Sequence, residues 1–183
     1  MSKTFSPARK LARFIATGVL AVVATAAAIT VGVAPSYANS TNFSGLSNAS
    51  TWGHMDVSGA SISPGGRIIQ WPANGANNQQ FKYPARAGET SNILNQNSQM
   101  CVTTDGVAGH QLFQMPCGGG WAPYQQWTVH TYTPWYDFTN TYGWFTNPAT
   151  GLVIDVEGGS RAAGTRIIAW YGNGGLNQSW IMT

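Results

Sequence analysis

Charge is what this 183-residue sequence has least of: Asp, Glu, Lys and Arg together make up 8% of it. Four of the nine basic residues, Lys3, Arg9, Lys10 and Arg13, stand near the start with no acid among them. Beyond residue 38, Arg67, Lys82, Arg86, Arg161 and Arg166 are set against Asp56, Glu89, Asp105, Asp137, Asp155 and Glu157, a net charge of about −1. A phosphate-binding protein displaces counterions with clustered Lys and Arg. No such cluster exists here, which argues against nucleic acid and against an anionic membrane surface as partners. The three histidines, His54, His110 and His130, lack metal-ligand spacing, and no Ser/His/Asp arrangement is evident. No catalytic residue, metal or cofactor is therefore expected. Cysteine is nearly absent too: two residues, which an exported chain would join in one disulfide.

Long hydrophobic runs are missing except at the start. "IATGVLAVVATAAAITVGV" (residues 15–33) follows the basic segment and precedes "APSYA" (residues 34–38). These form a charged n-region, an apolar h-region and a small-residue cleavage site with Ser36 at −3 and Ala38 at −1. The run is long enough for an uncleaved anchor. Its alanine content and the small residues ahead of Asn39 favour cleavage. The expectation is a signal peptide over residues 1–38 and a secreted, extracellular chain of residues 39–183, without membrane insertion once cleaved. Those roughly 145 residues fit one domain with a real core.

What that segment does contain is Gly, Asn, Thr, Ser and Trp, with short β-branched or aromatic runs broken by Gly, Asn and Pro, a pattern of all-β structure. It also contains itself. "RIIQWPANGANNQQF" (residues 67–81) returns as "RIIAWYGNGGLNQSW" (residues 166–180), and "LSNASTWGHMDVSG" (residues 46–59) as "FTNPATGLVIDVEG" (residues 145–158), all at an offset of 99 residues. Asp56 pairs with Asp155, Trp71 with Trp170, Asn78 with Asn177, Gln79 with Gln178 and Phe81 with Trp180. A third, altered copy lies between: "ILNQNSQMCVTTDG" (residues 93–106), "GHQLFQMPC" (residues 109–117) and "QQW" (residues 125–127). Asn95 matches Asn48 and Asn147. One unit of about 50 residues cannot bury its Ile68–Ile69, Leu112–Phe113 or Ile167–Ile168 pair alone; three can close a common core around a threefold axis. A last strand that pairs back near the first is expected.

Three such repeats, each closing on Gln-any-aromatic, resemble the ricin B-type (R-type) β-trefoil lectins and the related carbohydrate-binding modules of bacterial xylanases. The resemblance covers roughly residues 41–183 and implies a β-trefoil, with repeats at about 41–86, 87–130 and 140–183. It implies a carbohydrate-binding protein that is not an enzyme, a monomer whose partners are galactose-type or xylan-type glycans. The matching Asp and Asn of the family hold adjacent sugar hydroxyls, often the 3- and 4-hydroxyls of galactose. The matching aromatic stacks on the ring, and the Gln beside the Asn supports the pocket. Carried over, this gives Asp56, Trp71, Asn78 and Gln79 in the first repeat, and Asp155, Trp170, Asn177 and Gln178 in the third. The chemistry fits: a carboxylate accepts hydroxyl protons strongly, an amide both donates and accepts, and an indole covers the apolar sugar face. The sequence departs from the family pattern at Ile69 and Ile168, where a polar residue is common, and at Phe81 in place of Trp.

The middle repeat carries Thr103, Met115 and Tyr124 at the Asp, aromatic and Asn positions and is expected to be structural. The family pattern joins Cys101 to Cys117 across it. Plainer readings exist for the other residues. Trp71 and Trp170 would serve in a core, and Asp56 and Asp155 would cap the turns "DVSG" and "DVEG". The inserted stretch "TYTPWYDFTNTYGW" (residues 131–144) reads as a hairpin packing on itself, or as an extra aromatic platform of Trp135, Tyr136, Phe138 and Tyr142. The rival functions are a β-trefoil protease inhibitor, which would not need the Asp, Trp and Asn duplicated, and a small glycan-acting enzyme, which would need two carboxylates close together.

Overall fold

The computed structural model describes residues 42–182; the expected signal peptide, the expected cleavage before Asn39 and the start of the first repeat lie outside the described residues. Strands form wherever β-branched or aromatic residues run between Gly and Asn turns, and thirteen are seen. The first repeat holds β1 (Leu46–Asn48), β2 (His54–Val57), β3 (Ile68–Trp71) and β4 (Phe81–Lys82). After the two-residue β5 (Thr90–Ser91), the second holds β6 (Leu94–Asn95), β7 (Cys101–Thr103), β8 (Phe113–Met115) and β9 (Trp127–Tyr132). The third holds β10 (Thr141–Thr146), β11 (Val153–Val156), β12 (Ile167–Trp170) and β13 (Trp180–Met182).

The outer strands of each repeat build a closed barrel. β13 pairs antiparallel with β1, with Leu46 opposite Met182, and with β10; β10 pairs with β9, β9 with β5, and β6 with β4. A bridge from Ser44 to Phe81 joins β4 to the start of β1, so no barrel edge stays open. The inner strands form three hairpins, β2–β3, β7–β8 and β11–β12, that cap one end. Backbone bridges Arg67–Phe113, Gln111–Ile168 and Ile69–Arg166 tie the hairpins in a triangle. This is the β-trefoil.

The core sits where the repeats meet. Phe81, Trp127 and Trp180 are fully buried, as are Ile68, Leu112 and Ile167, each burial favouring the fold by about 1.5–3 kcal/mol. The indole N–H of Trp127 donates to Val102 O at 3.0 Å and that of Trp180 to Ile154 O at 3.3 Å. Phe81 fills the same place without a ring donor. Three buried asparagines then lock the repeats in one rotational direction. Asn48 Nδ2 donates to the carbonyls of Asn177 and Ser179, Asn95 Nδ2 to those of Asn78 and Gln80, and Asn147 Nδ2 to those of Pro123 and Gln126. Each thus holds the closing turn of the preceding repeat. In the second repeat Cys101 and Cys117 form a disulfide with Cα atoms 5.2 Å apart, closing a loop of 16 residues, worth about 3 kcal/mol by chain entropy.

The inserted stretch is a hairpin. β9 and β10 pair from Thr128–Thr146 out to Tyr132–Tyr142. At its tip Asp137 accepts from the backbone N–H groups of Thr139 and Asn140 and from the side chains of Thr139, Asn140 and Tyr142. These donors hold its carboxyl far below the usual range, while burial and the adjoining carboxylate push the Tyr142 hydroxyl up to about 12.

Candidate functional site

Each inner hairpin places one residue of β2, β7 or β11 opposite one of β3, β8 or β12: Asp56 faces Ile69, Thr103 faces Phe113 and Asp155 faces Ile168. After each hairpin a short turn carries a glutamine back to that residue. Gln79 Nε2 donates to Asp56 Oδ2 at 2.9 Å, Gln178 Nε2 to Asp155 Oδ2 at 2.7 Å, and Gln125 Nε2 to Thr103 Oγ1 at 3.1 Å. Each also donates to a carbonyl, of Pro72, Pro116 or Tyr171, and accepts from a backbone N–H, of Asn74, Gly118 or Asn173. The glutamines are fully satisfied struts, and the second repeat keeps its strut although its carboxylate is gone.

The first and third repeats add the rest of the set. Asp56 and Asp155 are buried at the base of their sites. Burial lifts both carboxyls above the ordinary aspartate range, opposed by the amides of Gln79 and Asn78 in one repeat and of Gln178 and Asn177 in the other. Neither serves the following turn as a cap; the partners are side-chain amides. In the third repeat Asn177 Nδ2 donates to Asp155 Oδ1 at 2.9 Å. It also reaches Val156 O at 3.4 Å; in the first, the matching bond from Asn78 Nδ2 to Val57 O is the tighter one, at 3.1 Å. The indoles sit at the strand ends, opposite His54 and Val153. Trp71 is 42% exposed and Trp170 39%, so neither is a core residue.

Around Asp155 these parts enclose an open cavity of about 320 Å³, within the size range of small-molecule sites, lined by Trp170, Asn173, Asn177, Ile168 and Glu157. Gly109 of the second repeat completes it: a Cβ there would stand 3.1 Å from Trp170 Cζ3. A side chain at this positive-φ position would strain the backbone and push the indole by a few tenths of an ångström. Glu157 and Gly109 were not singled out from sequence. Glu157 was legible as two residues from Asp155, whereas Gly109 belongs to another repeat. Both Glu157 oxygens are taken by the Arg166 guanidinium, which holds its carboxyl low. Ile168 forms an apolar wall where the family pattern often has a polar residue. Among the described residues no group of three or more His, Cys, Asp or Glu side chains is placed to hold a metal.

The structure thus brings together Asp56, Trp71, Asn78 and Gln79 on one side, and Asp155, Trp170, Asn177 and Gln178 on another. What they assemble is a recessed carboxylate, an amide beside it and an exposed indole.

Residues 46–180 match the ricin-type beta-trefoil lectin domain. No curated protein sequence matches the chain. Among solved structures it resembles 1,3Gal43A, an exo-beta-1,3-galactanase from Clostridium thermocellum, at 27% identity and a TM-score of 0.66, over 79% of this chain and 30% of that one. It also resembles the designed threefold symmetric protein ThreeFoil, at 24% identity and 0.64, over 75% and 95%. A third is the C-half of the earthworm R-type lectin, solved with GalNAc, at 23% and 0.58, over 76% and 96%.

Proposed function

The chain belongs to the ricin-type β-trefoil lectin family, and on that premise we propose that it binds carbohydrate at two sites, one in the first repeat and one in the third, without chemical turnover. Asp56 and Asp155 accept protons from adjacent sugar hydroxyls, Asn78 and Asn177 complete the rim, and Trp71 and Trp170 stack on the C–H face of the ring. Gln79 and Gln178 hold the carboxylates in place. The observation that carries this reading is the duplicated grouping of buried carboxylate, amide and half-exposed indole, present twice and dismantled in the repeat between. A solvated turn cap has no use for an exposed tryptophan beside it.

Galactose-type and xylan-type glycans are the substrate classes proposed. The earthworm lectin was solved with GalNAc and the clostridial galactanase is named for a β-1,3-galactan, which supports the galactoside reading for this chain. The enzyme reading is disfavoured because the one carboxylate near Asp155, Glu157, is committed to Arg166. The protein is further proposed to act as a monomer outside the cell, after removal of residues 1–38.

Calorimetric or NMR titration with galactose, lactose and xylohexaose tests this. The expected result is two nearly independent sites of about millimolar affinity, roughly −4 kcal/mol each. Immobilised polysaccharide is expected to bind more tightly, since the second contact becomes intramolecular. Sugar-induced shifts of the Trp71 or Trp170 indole signals in a folded Asp56→Ala/Asp155→Ala protein would overturn the assignment.

A further inference from the structure

The β9–β10 hairpin encloses a groove that neither carboxylate site uses. Beyond the Thr128–Thr146 pair, one face of the hairpin carries His130, Tyr132, Tyr142 and Trp144. His130 and Trp144 stack with centroids 5.0 Å apart and planes 12° apart, and Tyr132 lies 5.7 Å from Tyr142 and 6.2 Å from Trp144. The stack fixes the Trp144 ring while leaving the residue 37% exposed. Lining a cavity of about 460 Å³ together with Trp144 and Tyr132 are Gln178, Ser179 and three glycines, Gly172, Gly174 and Gly175. The first repeat writes Ala73, Gly75 and Ala76 at those three positions, so the third presents bare peptide groups where the first has two methyls. The Tyr132 hydroxyl donates to Ser179 Oγ at 3.2 Å, which holds the phenol against that wall.

Among the described residues no charged side chain lines the groove, which suits a neutral occupant. One wall is a flat indole and the other is peptide groups and a hydroxyl, which match the apolar face and the hydroxyl rim of a pyranose. The volume is that of a small-molecule site. We infer that this groove is a further carbohydrate subsite, which takes a neutral pyranose of a longer glycan on Trp144, with Tyr132 and the backbone of residues 172–175 at the rim. The inference rests on the sugar-binding reading of the third repeat, because one turn supplies walls to both cavities: Asn173 and Asn177 to the Asp155 site, the three glycines to the groove. The exposed tip residues Trp135 and Phe138, 83% and 80% accessible, are not part of it.

The test follows the indole N–H signals of the eight tryptophans and the amide signals of Gly174 and Gly175 by NMR, with lactose and xylohexaose as probes. In the Asp56→Ala/Asp155→Ala protein, Trp144, Gly174 and Gly175 are expected to shift still, while Trp71 and Trp170 stay put. Trp144→Ala in that background is expected to silence the two glycines while the buried Trp127 and Trp180 signals keep their places, and Trp144→Phe to preserve part of the response. If the alanine variant unfolds, the phenylalanine variant and the unaltered hairpin carry the test. Movement of Trp71 and Trp170 in the wild type with Trp144 silent overturns the groove and leaves the two-site reading intact; the reverse pattern overturns the two-site reading alone. Silence of every signal with both probes overturns both. A shift of Trp135 on phosphatidylcholine vesicles with Trp144 silent toward glycans assigns the hairpin to a lipid surface and overturns the inference.

Discussion

The first and third repeats spell nearly the same site and wire it differently. In the third, both oxygens of Asp155 are held, Oδ1 by Asn177 and Oδ2 by Gln178. In the first, Gln79 holds Oδ2 of Asp56, and the Asn78 amide leans toward the Val57 carbonyl, at 3.1 Å against 3.4 Å from Asn177 to Val156, while still lowering the Asp56 carboxyl. The cause is one methyl group. Gly175 and Ala76 share a backbone conformation, φ −68°, ψ 148° against φ −72°, ψ 154°. Yet a Cβ at Gly175 would overlap Asn177 Oδ1 and crowd Asn173 Oδ1. Alanine at the matching place keeps Asn78 from adopting the position of Asn177.

The comparison is broken most forcefully by removing the carboxylates one at a time. Asp155→Ala and Asp56→Ala should each delete one site, with a loss of at least about tenfold in affinity there, since a charge-assisted bond is worth about 1.5–3 kcal/mol. Each variant should silence the sugar response of its own indole, Trp170 or Trp71, and leave that of the other. Thr103→Ala, at the matching place in the second repeat, should leave the titration unchanged.

Acid is the next lever. Burial raises both carboxyls, so the ionised form that accepts sugar hydroxyls is lost at a higher pH than for an ordinary aspartate. Binding should fall on acidification with a midpoint above that ordinary value. The stability contribution has the opposite sign. A carboxyl whose pKa is raised by folding stabilises fully below its unfolded value and loses that contribution as pH rises through the folded one. These two groups therefore weaken the fold near neutrality and cease to do so in acid. Parallel binding and thermal-unfolding titrations check both directions.

A subtler cut separates the two wirings. Asparagine has one acceptor oxygen. Asp56→Asn can still accept from Gln79, and it sheds the cost of a buried charge. Asp155→Asn must set its own amide against either Asn177 or Gln178, leaving a donor unmet at a cost of about 1–3 kcal/mol. At pH 7 Asp56→Asn should melt above Asp155→Asn; equal melting points would show the wiring difference to be inconsequential. The smallest expected change comes from Gly175→Ala. The backbone tolerates it, and Asn177 should close on the Val156 carbonyl, which it now reaches at 3.4 Å, toward the 3.1 Å of Asn78 to Val57. Affinity at the third site should then approach that of the first by a few-fold, read by NMR at Trp170.

The sequence made the three repeats, their closing aromatics and both sets of site residues legible, because each is a local string recurring at fixed register. It also located the silent repeat at Thr103, Met115 and Tyr124. What stayed hidden are contacts between repeats. Gln70 reaches the carbonyls of Ser160 and Ala162, and Gln114 those of Ser61 and Ser63, each holding a loop of a neighbouring repeat. The third repeat has Ala169 at that position, beside the loop of the second repeat that is three residues shorter and ends at Gly109. Composition cannot announce that a deletion in one repeat opens the cavity of another. The aromatic stretch of residues 131–144 was legible as a hairpin or a platform. Only the fold reveals that Tyr142 is buried while Trp144 borders a groove whose far wall lies some thirty residues on.

The asparagine locks have a consequence for how such a molecule can change over generations. Asn95 and Gln125 still perform their structural duties in a repeat that has lost its carboxylate, its indole and its amide. Ligand contact and chain closure thus reside in different residues of the same fifty-residue unit, and one can drift while the other is retained. A repeat can lose its polar and aromatic set without releasing its neighbours.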